Sequence, residues 1–242
     1  MISGNKVRRA SLTLHNWMGL LVGIQIVFWF VGGLVMTVIP LDLVRGEVNM
    51  TERAAVSMPA SELSTVLTAI GTENLDAVTV RSLADEKVIQ VSRTIGTSQI
   101  YNSATGELLS PIGAEMAERV ALFDFRYRAQ ENLQTEVSVV SSKLLTEEPG
   151  DFRRALPVWQ ITLNDPDGTL LYVSPDTGRV LARRNDYWRV FDFFWMLHIM
   201  DYENREDFNN PLLIITTLTS TLFVFTGVVL LYFRFRPRRK RQ

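Results

Sequence analysis

The chain has 242 residues, of which 47% are hydrophobic and 21% charged, with a formal net charge of −1 and no cysteine. That length holds one ordinary domain plus membrane segments. The missing thiols exclude disulfides, Cys-ligated clusters and thiol catalysis. The near-zero charge averages two opposite regions, because nine of the 25 basic residues lie in the two tails and none of the 26 acidic ones does. The middle therefore carries 16 basic against 26 acidic side chains, a net charge of −10.

Residues 1–11 form a short tail carrying Lys6, Arg8 and Arg9. Residues 12–39 follow as an apolar run of 28 residues without Lys, Arg, Asp or Glu; its strongly polar side chains are His15, Asn16 and Gln25. As a helix rising about 1.5 Å per residue, it reaches roughly 40 Å and crosses a bilayer with some tilt. It is far longer than the apolar region of a signal peptide, and Val38-Ile39-Pro40-Leu41 offers no small-x-small cleavage site. It reads as a retained anchor.

Residues 41–57 read as a connector. Met58–Ile70 predicts a helix, with Pro59 near its start, Leu63, Val66, Leu67 and Ile70 at helical spacing, and Gly71 closing it. Three strand-like runs follow at 77–83, 88–93 and 99–101, then a turn at 102–106. A second helix is predicted at 112–125, with strands at 136–141, 157–163, 169–174 and 179–183 and a hairpin signal at Asn164-Asp165-Pro166-Asp167-Gly168. Helix then strands occurs twice, dividing the segment into units at 41–110 and 111–185.

The duplication is visible in residues too. Tyr101-Asn102-Ser103-Ala104-Thr105-Gly106 matches Tyr172-Val173-Ser174-Pro175-Asp176-Thr177-Gly178 with one inserted residue. A pair of ligand-binding turns and a pair of hairpin turns are both compatible with this pattern, and hairpin turns are the simpler expectation. Units of this size bury too little apolar surface to be comfortable alone, so one compact body is expected.

Residues 186–210 are aromatic-rich and then polar, too short to span, and predict an amphipathic segment at the membrane surface. Residues 211–233 form a second uncharged apolar span, and the basic tail 234–242 follows. Directly after a span, that tail reads as a contact for anionic lipid head groups and not as a nucleic-acid site. Two basic tails around an acidic middle place both termini in the cytoplasm and residues 41–210 outside.

The expected fold class is thus a membrane protein with two transmembrane α-helices flanking an α+β domain of two similar units. The Tyr-x-Ser-type Thr-Gly turns and Leu156-Pro157-Val158-Trp159-Gln160-Ile161 resemble the PepSY domain. His15-Asn16-Trp17-Met18-Gly19-Leu20 resembles the L-H-x-W-x-G-L start of PepSY-associated transmembrane proteins, and Leu197-His198 with Thr226-Gly227 resembles the other end of that unit. The resemblance covers essentially the whole chain. It implies a bacterial inner membrane, a periplasmic middle domain, and haem b as a cofactor, since some members are haem-containing reductases of ferric siderophores.

Under that resemblance His15 and His198 are the candidate haem-iron ligands, with Gly19 and Gly23 as cofactor-binding positions. Gly19 and Gly23 lie one and two turns from His15, a spacing that suits close helix packing or space beside a porphyrin. The competing reading leaves His15 hydrated at the interface, with Trp17 as an ordinary anchor. Met196, His198 and Met200 do not make a copper site, because residues two apart on a helix point to opposite sides. His15 and His198 are expected near opposite surfaces, roughly 30 Å apart, so one chain cannot clamp one haem with both. A homodimer, or association with another membrane redox protein, is the expected assembly.

Other chemistry is thin. Both histidines lie at the membrane, which leaves no Ser-His-Asp arrangement for the middle domain, and carboxylate groups such as Asp201 with Glu203 read as solvated faces. No phosphate-cradling glycine loop or G-x-G-x-x-G motif is present. Two functions are carried forward: a small haem-binding electron-transfer or reductase component acting on a periplasmic acceptor such as a ferric chelate, and a non-enzymatic anchored module that binds or regulates a partner.

Overall fold

The computed structural model describes residues 4–51, 55–96, 98–126 and 136–236. Residues 237–242, and with them most of the basic C-terminal tail, lie outside the described residues, as does the start of the N-terminal tail. The chain forms two compact units, one made of residues 41–189 and one made of residues 1–40 with 190–242.

The 41–189 unit opens with a short helix α2 (Leu41–Val44) and a 3₁₀ turn at Glu47–Asn49, so the predicted connector is partly ordered. Helix α3 (Ala60–Ile70) precedes the antiparallel sheet β1 (Leu75–Leu83), β2 (Glu86–Arg93) and β3 (Gln99–Asn102). Helix α4 (Ala114–Asp124) precedes a second antiparallel sheet, β4 (Val139–Leu145), β5 (Val158–Leu163), β6 (Leu170–Val173) and β7 (Val180–Arg184). The second unit thus has one strand more than the first. The strand expected at 136–141 starts three residues later and runs to Leu145.

Period-two alternation explains how two small units share one interior. In the first sheet Ile89, Val91 and Tyr101 point at Val66, Leu63 and Ile70 of α3. The alternate residues Val88 and Ile100, with Leu83, join Ala117, Val120 and Ala121 of α4 and Ile161, Leu163, Leu171 and Val173 of the second sheet. On the far face of that sheet Phe152, Val158, Tyr172 and Ala182 make a third cluster. Each such fully buried side chain contributes about 1.5–3 kcal/mol relative to exposure. The shared cluster is why the two units form one body.

The repeated turns are locally alike. Gly106 N donates to Asn102 O at 2.9 Å and Gly178 N to Ser174 O at 2.7 Å, with φ of 73° and 59° at the two glycines. Asn102 therefore matches Ser174, and the inserted residue lies upstream, where the β6–β7 register slips between Tyr172 and Val173. The second turn docks onto the first unit: Arg81 donates to Thr177 O, and Ile112 N donates to Pro175 O at 2.8 Å. These are hairpin turns with a packing role.

In the other unit, α1 (Gly4–Val38) and α6 (Pro211–Phe235) are, among the described residues, the two helices long and apolar enough to cross a membrane. They pack antiparallel, with His15 opposite Thr226 and Gly19 opposite Phe223. Continuing that register brings the start of α6 level with about Val31, so the last turns of α1 extend past the paired stretch. Helix α5 (Asp186–Ile199) covers part of that extension, with Phe194 against Gly32. Leu197 and His198 of α5 likewise meet Gln25 and Trp29, so α5 runs antiparallel to α1 over this stretch.

Candidate functional site

His15 projects from α1 onto α6. Its Nδ1 lies 3.0 Å from Thr226 Oγ1 and 3.2 Å from Phe223 O, and its ring stacks on that of Phe223 with centroids 4.2 Å apart. Thr226 spends its own proton on Phe223 O at 2.7 Å, so both neighbours of Nδ1 are acceptors. Nδ1 therefore bears the hydrogen, and in the neutral ring Nε2 carries the lone pair. Nε2 has no hydrogen bond among the described residues and is not a buried atom. A ring held by one nitrogen with the other free is the usual arrangement of a metal-ligating histidine.

The small residues have separate jobs. A Cβ on Gly227 would come within 3.3 Å of His15 Cε1, so glycine is what lets the imidazole lie flat against α6. A Cβ on Gly19 would meet Phe223 Cε2 at 2.9 Å, so Gly19 receives the ring that His15 stacks on. Gly23 faces open space. The predicted small-residue face is thus split, with Gly19 inside the helix pair and Gly23 outside it.

His198 lies beside Trp29, 14 residues along α1 from His15, a rise of about 21 Å. It sits in the last turn of α5, whose end carbonyls lack intrahelical partners. Gln25 Nε2 donates to Leu197 O at 2.8 Å, Trp29 Nε1 to His198 O at 2.8 Å, and Asn210 Nδ2 to Ile199 O at 3.0 Å. Asn210 also caps α6, its Oδ1 accepting from Leu213 N at 2.9 Å. Gln25, Trp29 and Asn210 thus satisfy the free carbonyls at the end of α5. The imidazole Nδ1 of His198 is buried without a partner.

Beside His198 lies a cavity of about 450 Å³, lined by Trp29, Trp195, His198, Ile199, Phe208, Leu213 and Thr217. Sequence reading did not find it, because its walls come from three separated segments; the aromatic density of 186–202 was the one hint. Met200 lies beyond α5 in a left-handed conformation (φ 55°), so Met196, His198 and Met200 do not share a helix. Among the described residues no group of three or more His, Asp or Glu could hold a metal ion. Asp201, in the loop after α5, accepts from the backbone N–H groups of Glu203, Asn204, Glu206 and Asp207. Those bonds, with Asp207 and Glu206 leading, lower its pKa to about 2. It is a turn-forming carboxylate.

The 41–189 unit has a second, more polar cavity of about 490 Å³ lined by Thr51, Arg81, Asp124, Arg179 and Arg183 among others. Arg183 forms a double hydrogen bond with the buried Asp124, and Arg81 and Arg179 both donate to Gln90 Oε1. These arginines are engaged in holding β2, β7 and α4 together.

Comparison with known proteins agrees with this architecture. The family model described as the PepSY-associated TM region matches residues 12–242. The chain belongs to that family. No curated protein and no solved structure matches it.

Proposed function

We propose that this member of the PepSY-associated transmembrane family is a small haem-binding electron-transfer component of a bacterial inner membrane. Both termini are cytoplasmic, and residues 41–210 form a periplasmic domain of two PepSY-like units. The orientation follows from the basic residues beside both spans and the acidic middle. The observation that carries the haem reading is the bonding of His15, whose Nδ1 is committed to Phe223 O and Thr226 Oγ1 while Nε2 stays free.

His15 would hold the iron through Nε2, with Thr226, Phe223 and Gly227 fixing the plane of its ring. A haem held there supplies one-electron transfer. One chain offers one histidine at this level, so His15 of a second copy is the natural opposite ligand, and the homodimer is part of the proposal. His198 lacks a comparable acceptor at its Nδ1, so the reading rests on His15. The periplasmic domain would receive an acceptor such as a ferric chelate.

The test is a reduced-minus-oxidised spectrum of the full chain purified from haem-replete cells, with its mass in detergent. Soret and α bands of b type in a dimer, lost in His15→Ala, are expected. A dimer or monomer without those bands overturns the reading and leaves the non-enzymatic anchor as the function.

A further inference from the structure

The cavity beside His198 is built differently from the surroundings of His15 and does not depend on them. Its volume of about 450 Å³ falls within the range of small-molecule pockets, roughly 300–1,000 Å³. Two of its walls, Trp29 on α1 and Leu213 with Thr217 on α6, belong to the membrane-spanning helices, so a ligand can arrive through lipid.

Its polar groups are few. The two indole N–H groups are used, Trp29 on His198 O at 2.8 Å and Trp195 on Arg205 O at 3.1 Å. Thr219 and Thr221 of α6 turn their hydroxyls back onto their own helix, at 2.8 Å to Ile215 O and Thr217 O. Thr217 makes no such bond and lines the cavity. The other uncommitted group is the His198 imidazole, which lines the cavity; its Nδ1 is buried without a partner and its Nε2 makes no hydrogen bond among the described residues. An imidazole edge and a hydroxyl without protein partners beside apolar walls favour a ligand that bonds both.

These features narrow the occupant. A hydrocarbon chain would leave the imidazole and the hydroxyl unbonded, and a charged solute would not cross apolar, aromatic walls. A planar ring with oxygen at two edges satisfies both groups and stacks on indole and phenyl faces. We infer that the cavity between α1, α5 and α6 binds the head group of a lipid-soluble quinone, with the His198 imidazole and the Thr217 hydroxyl meeting its ring oxygens and Trp29, Trp195 and Phe208 enclosing the ring.

The test is calorimetric titration of the full chain in detergent micelles with a one-isoprene ubiquinone, corrected for partition into empty micelles. Saturable binding at one quinone per chain is expected. His198→Leu and Thr217→Val should each weaken it about tenfold, the loss of one hydrogen bond, and Leu213→Trp, which fills the cavity, should abolish it. Thr217 is exposed on α6, so its variant carries the test if His198→Leu does not fold. Absence of saturable binding, parental affinity in both polar variants, or displacement of the quinone by decanol at equal concentration overturns the assignment. The last outcome marks a hydrocarbon pocket. The measurement needs no haem, so its failure and the failure of the His15 reading are separate results.

Discussion

The imidazole of His15 and the ring of Phe223 lie stacked, 10° from parallel with centroids 4.2 Å apart, across the α1–α6 pair. Phe223 in turn occupies the hollow at Gly19. Four residues on two helices therefore set one ring plane: Gly19 admits Phe223, Phe223 supports His15, Thr226 fixes its tautomer and Gly227 clears its edge.

Thr226→Val keeps the shape of the side chain and removes one acceptor of His15 Nδ1. Loss of a second-sphere partner typically lowers metal affinity 10–100-fold. Haem titration of the variant, followed by Soret absorbance, should show weakening of about tenfold, whereas His15→Ala should show no saturable site.

Gly19→Ala and Gly23→Ala should part company. A methyl at Gly19 meets Phe223 at 2.9 Å and displaces it, while Gly23 has nothing within 4 Å. Thermal unfolding of the full chain in detergent should show a loss of about 1–3 kcal/mol for Gly19→Ala and a change within about 0.5 kcal/mol for Gly23→Ala. If instead Gly23→Ala disperses the dimer, Gly23 belongs to the contact between copies.

The two Thr-Gly turns predict an asymmetry within the 41–189 unit. Both glycines have positive φ, which costs a side-chain-bearing residue about 1–2 kcal/mol. At Gly106 a Cβ would find Ala69 and Val66 at a comfortable 3.9 Å, but at Gly178 it would lie 2.3 Å from Leu83 Cδ1 in the shared core. Denaturant unfolding should rank Gly178→Ala below Gly106→Ala by about 1–3 kcal/mol.

Tyr172 is fully buried, stacks on Phe152 with centroids 4.5 Å apart, donates to Asp151 Oδ1 at 2.6 Å and accepts from Gln160 Nε2 at 2.8 Å. Burial first, and then the bond to Asp151, push its pKa above the ordinary 10.0. The folded state therefore keeps this proton when the unfolded state loses it. Its contribution is fully present below pH 10 and declines as pH rises above that value. Titration of tyrosinate absorbance should give Tyr172→Phe the same amplitude as the parent while both stay folded, and the parent should lose stability between pH 10 and 12 more steeply than the variant.

Much of this was legible in the sequence because the signals are local. The apolar runs ending in Arg8 and Arg9 at one side and Arg234 at the other specify two helices through length and solvation alone. Strands β1, β2 and β5 follow from alternation, and the Thr-Gly turns from the need for positive φ. Nothing in a local window tells that Phe194 will cover Gly32, or that Gln25 and Trp29 will cap the carbonyls of α5.

The sequence by itself determined that this is a two-span membrane protein with an acidic α+β middle, since composition and periodicity decide which residues water rejects. Only the tertiary structure decided what the histidines meet. His15 finds two acceptors on α6, 208 and 211 residues away, while His198 finds none and faces a cavity. The distinction rests on hydrogen-bond geometry across helices, a property of the antiparallel register of α1 and α6 that no stretch of either helix encodes alone.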